Sequence, residues 1–415
     1  MMIPIAFLAF AVLVCGLIVL ALWVSVKIQK RDAESRNPAP VPARPKIQVS
    51  GLHLLRMRDP KFDPEAFLSR AGEAARRMHD CGQRRDYAPA RSFLSDGQAE
   101  CAAIRLELED LSEHRFSAED FKLLSSEIRS VESDRLFDAV HVLFHGQRRL
   151  NEVWTKTGGF APAAPMEDFH EVWTFVRRPG RETLAKPGPI EGFCPSCGAP
   201  VELADAGRCA ACSCWVSSGE YDWVLTKTTD AKYWTPVSQL TRDPGLELLG
   251  EADPGANLHF MEDRVLVAFW RWKLAVASRT AAPLAAVATA EFSAREEGVL
   301  LHAPPDAGGI AIEDLKFASF RFGDPMDAVS FRVRWSGWEG MMFAAGDPQR
   351  RWVTKRSLLT FLRKKGTTTA ARSGLCSVRC HGCGAPPSRR DLAACEYCGA
   401  PFNDGAHHWT LSELG

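Results

Sequence analysis

Tyrosine, net charge and the usual catalytic signatures are what this sequence lacks. Its 415 residues include four tyrosines, Tyr87, Tyr221, Tyr233 and Tyr397. Lys plus Arg and Asp plus Glu both total 51, so the formal charge is zero. A chain that lives on polyanion binding carries an excess of base, and this one does not. There is no phosphate-binding loop, nucleophile elbow or His-Glu-x-x-His, so the familiar signatures of nucleotide, ester and metalloprotease chemistry are missing. With 46% hydrophobic and 25% charged residues the composition is globular, which excludes wholesale disorder. The length suffices for two or three domains.

Charge is also absent from residues 3–26. At ~1.5 Å per residue, a helix over Ile3 to Val26 spans the roughly 30 Å core of a bilayer. Trp23 stands near its end, where an interfacial aromatic is expected. A cleaved signal peptide is the competing reading. It calls for base before the apolar run and a small-residue cut site after it. Here Met1 and Met2 precede the run, and Lys27, Ile28, Gln29, Lys30 and Arg31 follow. An Arg-rich amphipathic presequence is also missing. The expectation is a single-pass transmembrane helix in an inner, cytoplasmic membrane. Residues 27–50 carry Lys27, Lys30, Arg31, Arg36, Arg44 and Lys46 against Asp32 and Glu34, a bias that keeps the C-terminal part cytoplasmic. Pro38, Pro40, Pro42 and Pro45 make this basic linker semi-extended.

The rest of the chain reads as one unit used twice. Asp59-Pro60 recurs as Asp253-Pro254 and Ala88-Pro89 as Ala282-Pro283, both at an offset of 194. Between them Asp63 is an N-cap, with Pro64 at the first helical position. Phe67, Ala71, Ala74, Ala75 and Met78 form one helical face. Its counterpart is Met261, Val265, Ala268, Phe269 and Trp272, apolar throughout with changed volumes, as a repacked core face behaves. Trp270 is left over; core packing is the expected reading, and an exposed Trp270 would instead mark a contact between units or with a partner. Asp138-Ala139-Val140 matches Asp327-Ala328-Val329 in alternating, strand-like runs. Thr174 to Arg177 matches Thr360 to Arg363 at 186, and Trp223 matches Trp409 at the same offset. Each unit is therefore expected to be helices followed by an antiparallel sheet, an α+β arrangement. Unit one covers 51–228, a linker 229–244, and unit two 245–415.

Thirteen cysteines include two matching quartets. Cys194-x2-Cys197-x11-Cys209-x2-Cys212 is the first, and Cys380-x2-Cys383-x11-Cys395-x2-Cys398 the second. Each Cys-x2-Cys knuckle can put two thiolates on one ion, and two knuckles complete the tetrahedral four-sulfur set that Zn2+ prefers. Gly198, Gly384 and Gly399 follow the second cysteine of three knuckles, where a positive φ is often needed. Disulfides fit poorly with a reducing compartment, and an iron–sulfur centre is the other rival. The spacing favours two zinc ions, structural because the protein fills every coordination position. The quartets of the two ribbons, 194–223 and 380–409, follow the strands 171–177 and 358–363 and precede 221–226 and 408–411. Each is thus expected in the turn of the last hairpin of its unit. Cys214, in Cys212-Ser-Cys214, could compete as a ligand or be a spare thiol. Cys15, Cys81, Cys101 and Cys376 read as small apolar residues.

The runs Asp59 to Leu68, Arg91-Ser-Phe-Leu94 and Glu171-Val-Trp-Thr-Phe-Val-Arg-Arg178 resemble the Tim-forty-four-like domain. That family is named for the mitochondrial import-motor tether and has bacterial inner-membrane members. Cys194 to Pro200 and Ser218 to Trp223 are similar to the ribbon that some bacterial members carry. Unit two departs, with Ala256 in place of Phe62 and Leu359 in place of Trp173. The resemblance implies two tandem cone domains like nuclear transport factor two. It also implies a hydrophobic pocket for a lipid or other hydrophobic ligand, and protein partners in translocation or membrane assembly.

Three function classes follow. A membrane-anchored, zinc-stabilised binding or scaffold module is the expected one, with no catalytic residues assigned. An enzyme or small-ligand binder in the cone pocket is the alternative. It needs a convergent acid or base, and no tyrosine recurs between units. His141 and His145 share a strand face at i, i+4, a weak metal hint, but become Ser330 and Arg334, so solvated or satisfied histidines are expected. His170 beside Glu171 reads the same way, and the pair His407-His408 is expected at the surface and not as ligands. Nucleic-acid binding is not expected. Arg208 faces Glu202, Asp205, Glu220 and Asp222 in the first ribbon; Arg389 and Arg390 face Asp391, Glu396 and Asp404 in the second. The basic stretch 350–365 reads as a solvated sheet face or a lipid-headgroup or partner site.

Overall fold

Helix α1 (Leu52–Arg58) leads through Asp59-Pro60 into α2 (Pro64–Arg84), α3 (Asp96–Ser112) and four strands. These are β1 (His114–Ser133), β2 (Asp138–Trp154), β3 (Met166–Arg177) and β4 (Val224–Asp230), which form one antiparallel sheet in that order. The series then recurs: α4 (Pro244–Ala252), α5 (Leu258–Ser278), α6 (Ala290–Leu300), β5 (Ala311–Arg321), β6 (Met326–Glu339), β7 (Arg351–Lys364) and β8 (Thr410–Leu414). The second sheet is also four-stranded and antiparallel, in the order β5-β6-β7-β8. The protein is α+β. A computed structural model describes residues 51–415 apart from 135, 155–162, 185–186, 202, 205–207, 237–242, 303–308, 340–350, 370–374 and 376. The expected membrane segment 3–26, the linker 27–50, Cys15, Cys376 and part of the 229–244 linker lie outside the described residues. Among those residues no helix is long and apolar enough to cross a membrane.

Local chemistry sets the same boundaries twice. The Asp63 carboxylate accepts from the Glu65 N–H at 3.0 Å at the start of α2, and Asn257 accepts from the His259 N–H at 2.8 Å at the start of α5. Ser95 and Thr289 cap α3 and α6 in the same way, each at 3.1 Å. Helices α2 and α5 both end on an arginine in the left-handed region, Arg85 (φ 55°) and Arg279 (φ 56°). The expected apolar faces are buried: Phe67, Ala71, Ala74 and Ala75 on α2, and Met261, Val265, Ala268 and Phe269 on α5. Met78 and Trp272 pack at the margins of these cores. Trp270 is buried as well, because α5 lies between the second sheet and α3 of the first repeat and is covered nearly all round. Cys81 and Cys101 are buried among apolar side chains, as expected.

A buried ionic cluster ties each repeat together. Asp59, in the α1–α2 turn, accepts from Arg177 of β3 at 2.8 Å and from the Thr183 N–H and hydroxyl at 2.9 and 2.6 Å. Asp253 does the same with Arg363, at 2.7 Å, and Thr369, at 2.8 and 2.5 Å. Each guanidinium lies over a buried indole, Arg177 on Trp223 at 4.4 Å and Arg363 on Trp409 at 4.3 Å. Burial alone would raise the Asp59 carboxyl. The Thr183 and Arg177 hydrogen bonds outweigh it and hold the group below its usual range.

The two repeats make one compact unit. Helix α3 packs along α5, and Gly97 permits the approach: a Cβ there would stand 2.3 Å from an Asp263 oxygen. The Gly97 N–H donates to both Asp263 oxygens at 3.1 Å. Buried Asp96 receives Arg379 at 3.0 Å and also pairs with Arg91, while Glu100 receives Arg271 and Arg390, both at 2.8 Å. Leu375 of the second repeat inserts into an apolar cluster of the first with Phe137, Ala139, Val176 and Val224.

Candidate metal centres

The ribbons sit where the last hairpins need long connections. β3 pairs antiparallel with β4 from Glu171↔Asp230 to Val176↔Val224, and the chain between them holds the first quartet. β7 and β8 enclose the second in the same way, from Thr410↔Leu362 to Leu414↔Leu359. The strand expected from Tyr221 begins instead at Val224, because Asp222 turns its own backbone. Its carboxylate accepts the Trp223 N–H at 2.8 Å and pairs with Arg70 at 2.8 Å.

All four Cys-x2-Cys turns share one hydrogen-bonding scheme. The residue after the second cysteine donates back to the first cysteine's carbonyl: Gly198 to Cys194 at 2.9 Å, and Ser213 to Cys209, Gly384 to Cys380 and Gly399 to Cys395 at 2.8 Å. The position needs a left-handed backbone. Gly198, Gly384 and Gly399 adopt φ of 77°, 73° and 73°, and Ser213 takes φ 59° without the freedom of glycine.

The eight expected ligands come together as two groups. Sγ atoms of Cys194, Cys197, Cys209 and Cys212 lie within 4.8 Å of one another, and so do those of Cys380, Cys383, Cys395 and Cys398. Across the first group Cys194–Cys212 is 3.7 Å and Cys197–Cys209 is 3.8 Å. In the second, Cys380–Cys398 is 3.5 Å and Cys383–Cys395 is 3.6 Å. Four sulfurs at ~2.3 Å from a central ion have tetrahedral edges of roughly 3.8 Å. The separations match that cage and are far beyond a ~2.05 Å disulfide bond. All eight thiols are free. The two groups could hold two metal ions, such as zinc. Backbone N–H groups favour thiolate in both, but hydrogen bonds with neighbouring sulfurs override them at Cys197 and Cys398, which rise to about 11 and about 12. The Cys214 N–H pulls Cys212 down to about 6. Burial opposes ionisation of Cys395, but the N–H groups of Tyr397 and Cys398 bring it to about 7.

The other sequence candidates lie elsewhere. His141 is buried, with Nδ1 2.9 Å from the Thr174 hydroxyl; Ser330 and Thr360 repeat that pair at 3.0 Å. His145 stacks on His170, ring centroids 4.3 Å apart. In the second ribbon His407 is exposed and stacks on His381 at 3.6 Å. His408, expected at the surface, is half-buried; burial, aided by the nearby Arg264 charge, pushes it down to about 3. Among the described residues the two cysteine quartets are the only such groups of three or more His, Cys, Asp or Glu ligands.

The ribbons also touch each other. Trp215 of the first lies between two guanidinium groups, Arg208 at 3.8 Å and Arg379 at 3.6 Å, beside Gly384 of a second-ribbon knuckle. Sequence reasoning passed over Trp215, Leu375, Arg379, Asp96 and Asp263. The available signal was that they have no like residue in the other repeat, where Pro401, Pro189, Phe193, Ala290 and Ser69 stand. Arg264 shows the same divergence. Its counterpart Arg70 pairs with Glu191 and Asp222, which become Ser377 and His408. Arg264 donates instead to the carbonyls of Trp409, Ser377 and Ala286 at 3.1, 2.8 and 3.2 Å. No protein family matches this chain, and no curated protein is similar to it.

Proposed function

We propose that the protein is a membrane-anchored, zinc-stabilised binding or scaffold module that works at the cytoplasmic face of the membrane. The supporting observation is that both metal centres are closed. Four protein sulfurs surround each, leaving no position for a water or substrate, so the ions serve folding and not catalysis. A short ribbon has too little core of its own, and metal binding free energy stands in for it. The buried polar chemistry is spent on holding the chain together. Arg177, Arg363, Arg264 and Arg379 bind carboxylates or carbonyls inside the body. His141 and His259 are sealed at 2% and 6% exposure.

In this reading residues 3–26 are the anchor and 27–50 the leash, which raises the local concentration of the body at the bilayer. Each helix-and-sheet unit is a cone of the Tim-forty-four-like type, and the partners are proteins in transit or under assembly at the membrane. The test is crosslinking from the cytoplasmic face in intact membranes, followed by identification of captured proteins and lipids. Capture of translocation or assembly components supports the reading. Turnover of a small metabolite by the purified chain, with no protein captured, replaces it with the cone-pocket enzyme. Metal analysis should return two zinc ions per chain.

A further inference from the structure

The first metal centre carries beside it a thiol that the second lacks. In every knuckle the N–H of the first cysteine donates to the carbonyl of the residue five positions later. That residue is Ala199, Ala385 or Ala400 in three knuckles and Cys214 in the fourth, where the Cys209 N–H reaches it at 3.0 Å. A fifth thiol therefore stands where the scaffold otherwise places a methyl group. Its sulfur is 3.4 Å from Sγ of Cys194, closer than Cys194 comes to Cys212 across the quartet. Cys214 is not among the four mutually close sulfurs. It is half-buried and Cys194 is buried, whereas the ligands Cys197 and Cys212 are exposed; Cys214 is thus the more accessible partner of the close pair.

We propose that Cys214 makes the first centre, and not the second, a thiol-oxidation site that releases its metal through a Cys194–Cys214 disulfide. This rests on the metal reading above. The co-reactant is a hydroperoxide. Its terminal oxygen is transferred to the Cys214 sulfur, giving a sulfenic acid and water or an alcohol. The Cys194 thiolate then displaces hydroxide from that sulfur and the S–S bond forms. Two sulfurs give up one electron each, the O–O bond accepts both, and the hydroxide takes a proton from solvent. Three thiolates remain on the ion, the tetrahedral set is broken, and the metal leaves. The second centre has Ala400 at this place and stays loaded. A dithiol reductant with added zinc restores the first.

The test is hydrogen peroxide titration of the purified full chain, with released zinc read by a chromogenic chelator and disulfides by peptide mapping. Metal content before oxidant comes first; a value near zero defeats the metal reading alone, since the mapped disulfide still decides the thiol chemistry. The expected result is loss of half the bound metal in a fast phase, together with a Cys194–Cys214 peptide. Cys214→Ala should abolish the fast phase while keeping both ions at the start. Ala400→Cys should make the second centre release in the fast phase too. Release of both ions at one rate, a fast phase that survives Cys214→Ala, or Cys214 recovered as free thiol after the fast phase overturns the proposal.

Discussion

The duplicated Asp–Arg–Thr–Trp cluster allows one experiment to be done twice in the same molecule. Asp59→Asn removes the anion but keeps an oxygen acceptor for Thr183. Arg177 is left fully buried, with its face on Trp223 and no carboxylate for its charge. Breaking a buried ion pair from one side costs ~3–5 kcal/mol, a large share of the ~5–15 kcal/mol that holds a domain folded. Arg177→Met alone should cost a similar amount, through the stranded carboxylate. Together the two changes remove both charges and the need to desolvate them, so the double variant should fall short of the sum by ~2–3 kcal/mol. The same cycle on Asp253 and Arg363 should return the same coupling, because the contacts agree within 0.1 Å. Urea unfolding of the full chain, followed by tryptophan emission, reads both cycles, since Trp223 and Trp409 lie against the perturbed groups. Both carboxyls are held below the usual aspartate range against the opposing effect of burial, by the Thr183 and Arg177 and the Thr369 and Arg363 contacts respectively. Their stabilisation is therefore present above that range and is lost as pH falls through the folded values. A coupling below ~0.5 kcal/mol in both repeats would refute the assignment of these clusters as structural ties.

Other outcomes follow from neighbouring geometry. Cys197→Ser and Cys383→Ser should each lower zinc content from two ions to one, measured by plasma emission; loss of both ions from one substitution would refute independent centres. Gly97→Ala should destabilise the contact between repeats by ~1–3 kcal/mol, because its Cβ meets Asp263 at 2.3 Å; an unchanged urea midpoint would refute close approach of α3 and α5. Burial raises Asp263 to about 7, against the Ser377 hydroxyl and the Gly97 N–H. Its folded state binds the proton more tightly than the unfolded chain, so its contribution to stability falls as pH rises from ~4 through about 7. Asp263→Asn should flatten that decline between about pH 4 and about pH 7; an unaltered slope in the urea midpoints over that range would refute it.

Sequence alone carried whatever is local or repeated. The Asp63 cap, the knuckle glycines and the buried faces of α2 and α5 obey short-range rules of hydrogen bonding and periodicity, and duplication displayed the knuckles and the faces twice. The cysteine quartets were legible because one ion needs four ligands and two tight turns supply them. Asp59, Arg177, Asp253 and Arg363 were visible as repeated residues, although their pairing was not. Only the tertiary structure decided how the repeats meet. That contact joins two different faces, so it uses Asp96, Trp215, Asp263, Leu375 and Arg379, where the repeats disagree. Trp270 is buried for the same reason, since α5 is enclosed by its own sheet and by a helix of the other repeat. A repeat pattern records what each unit needs to fold, while the residues that join two folded units answer to geometry that exists only after both have formed.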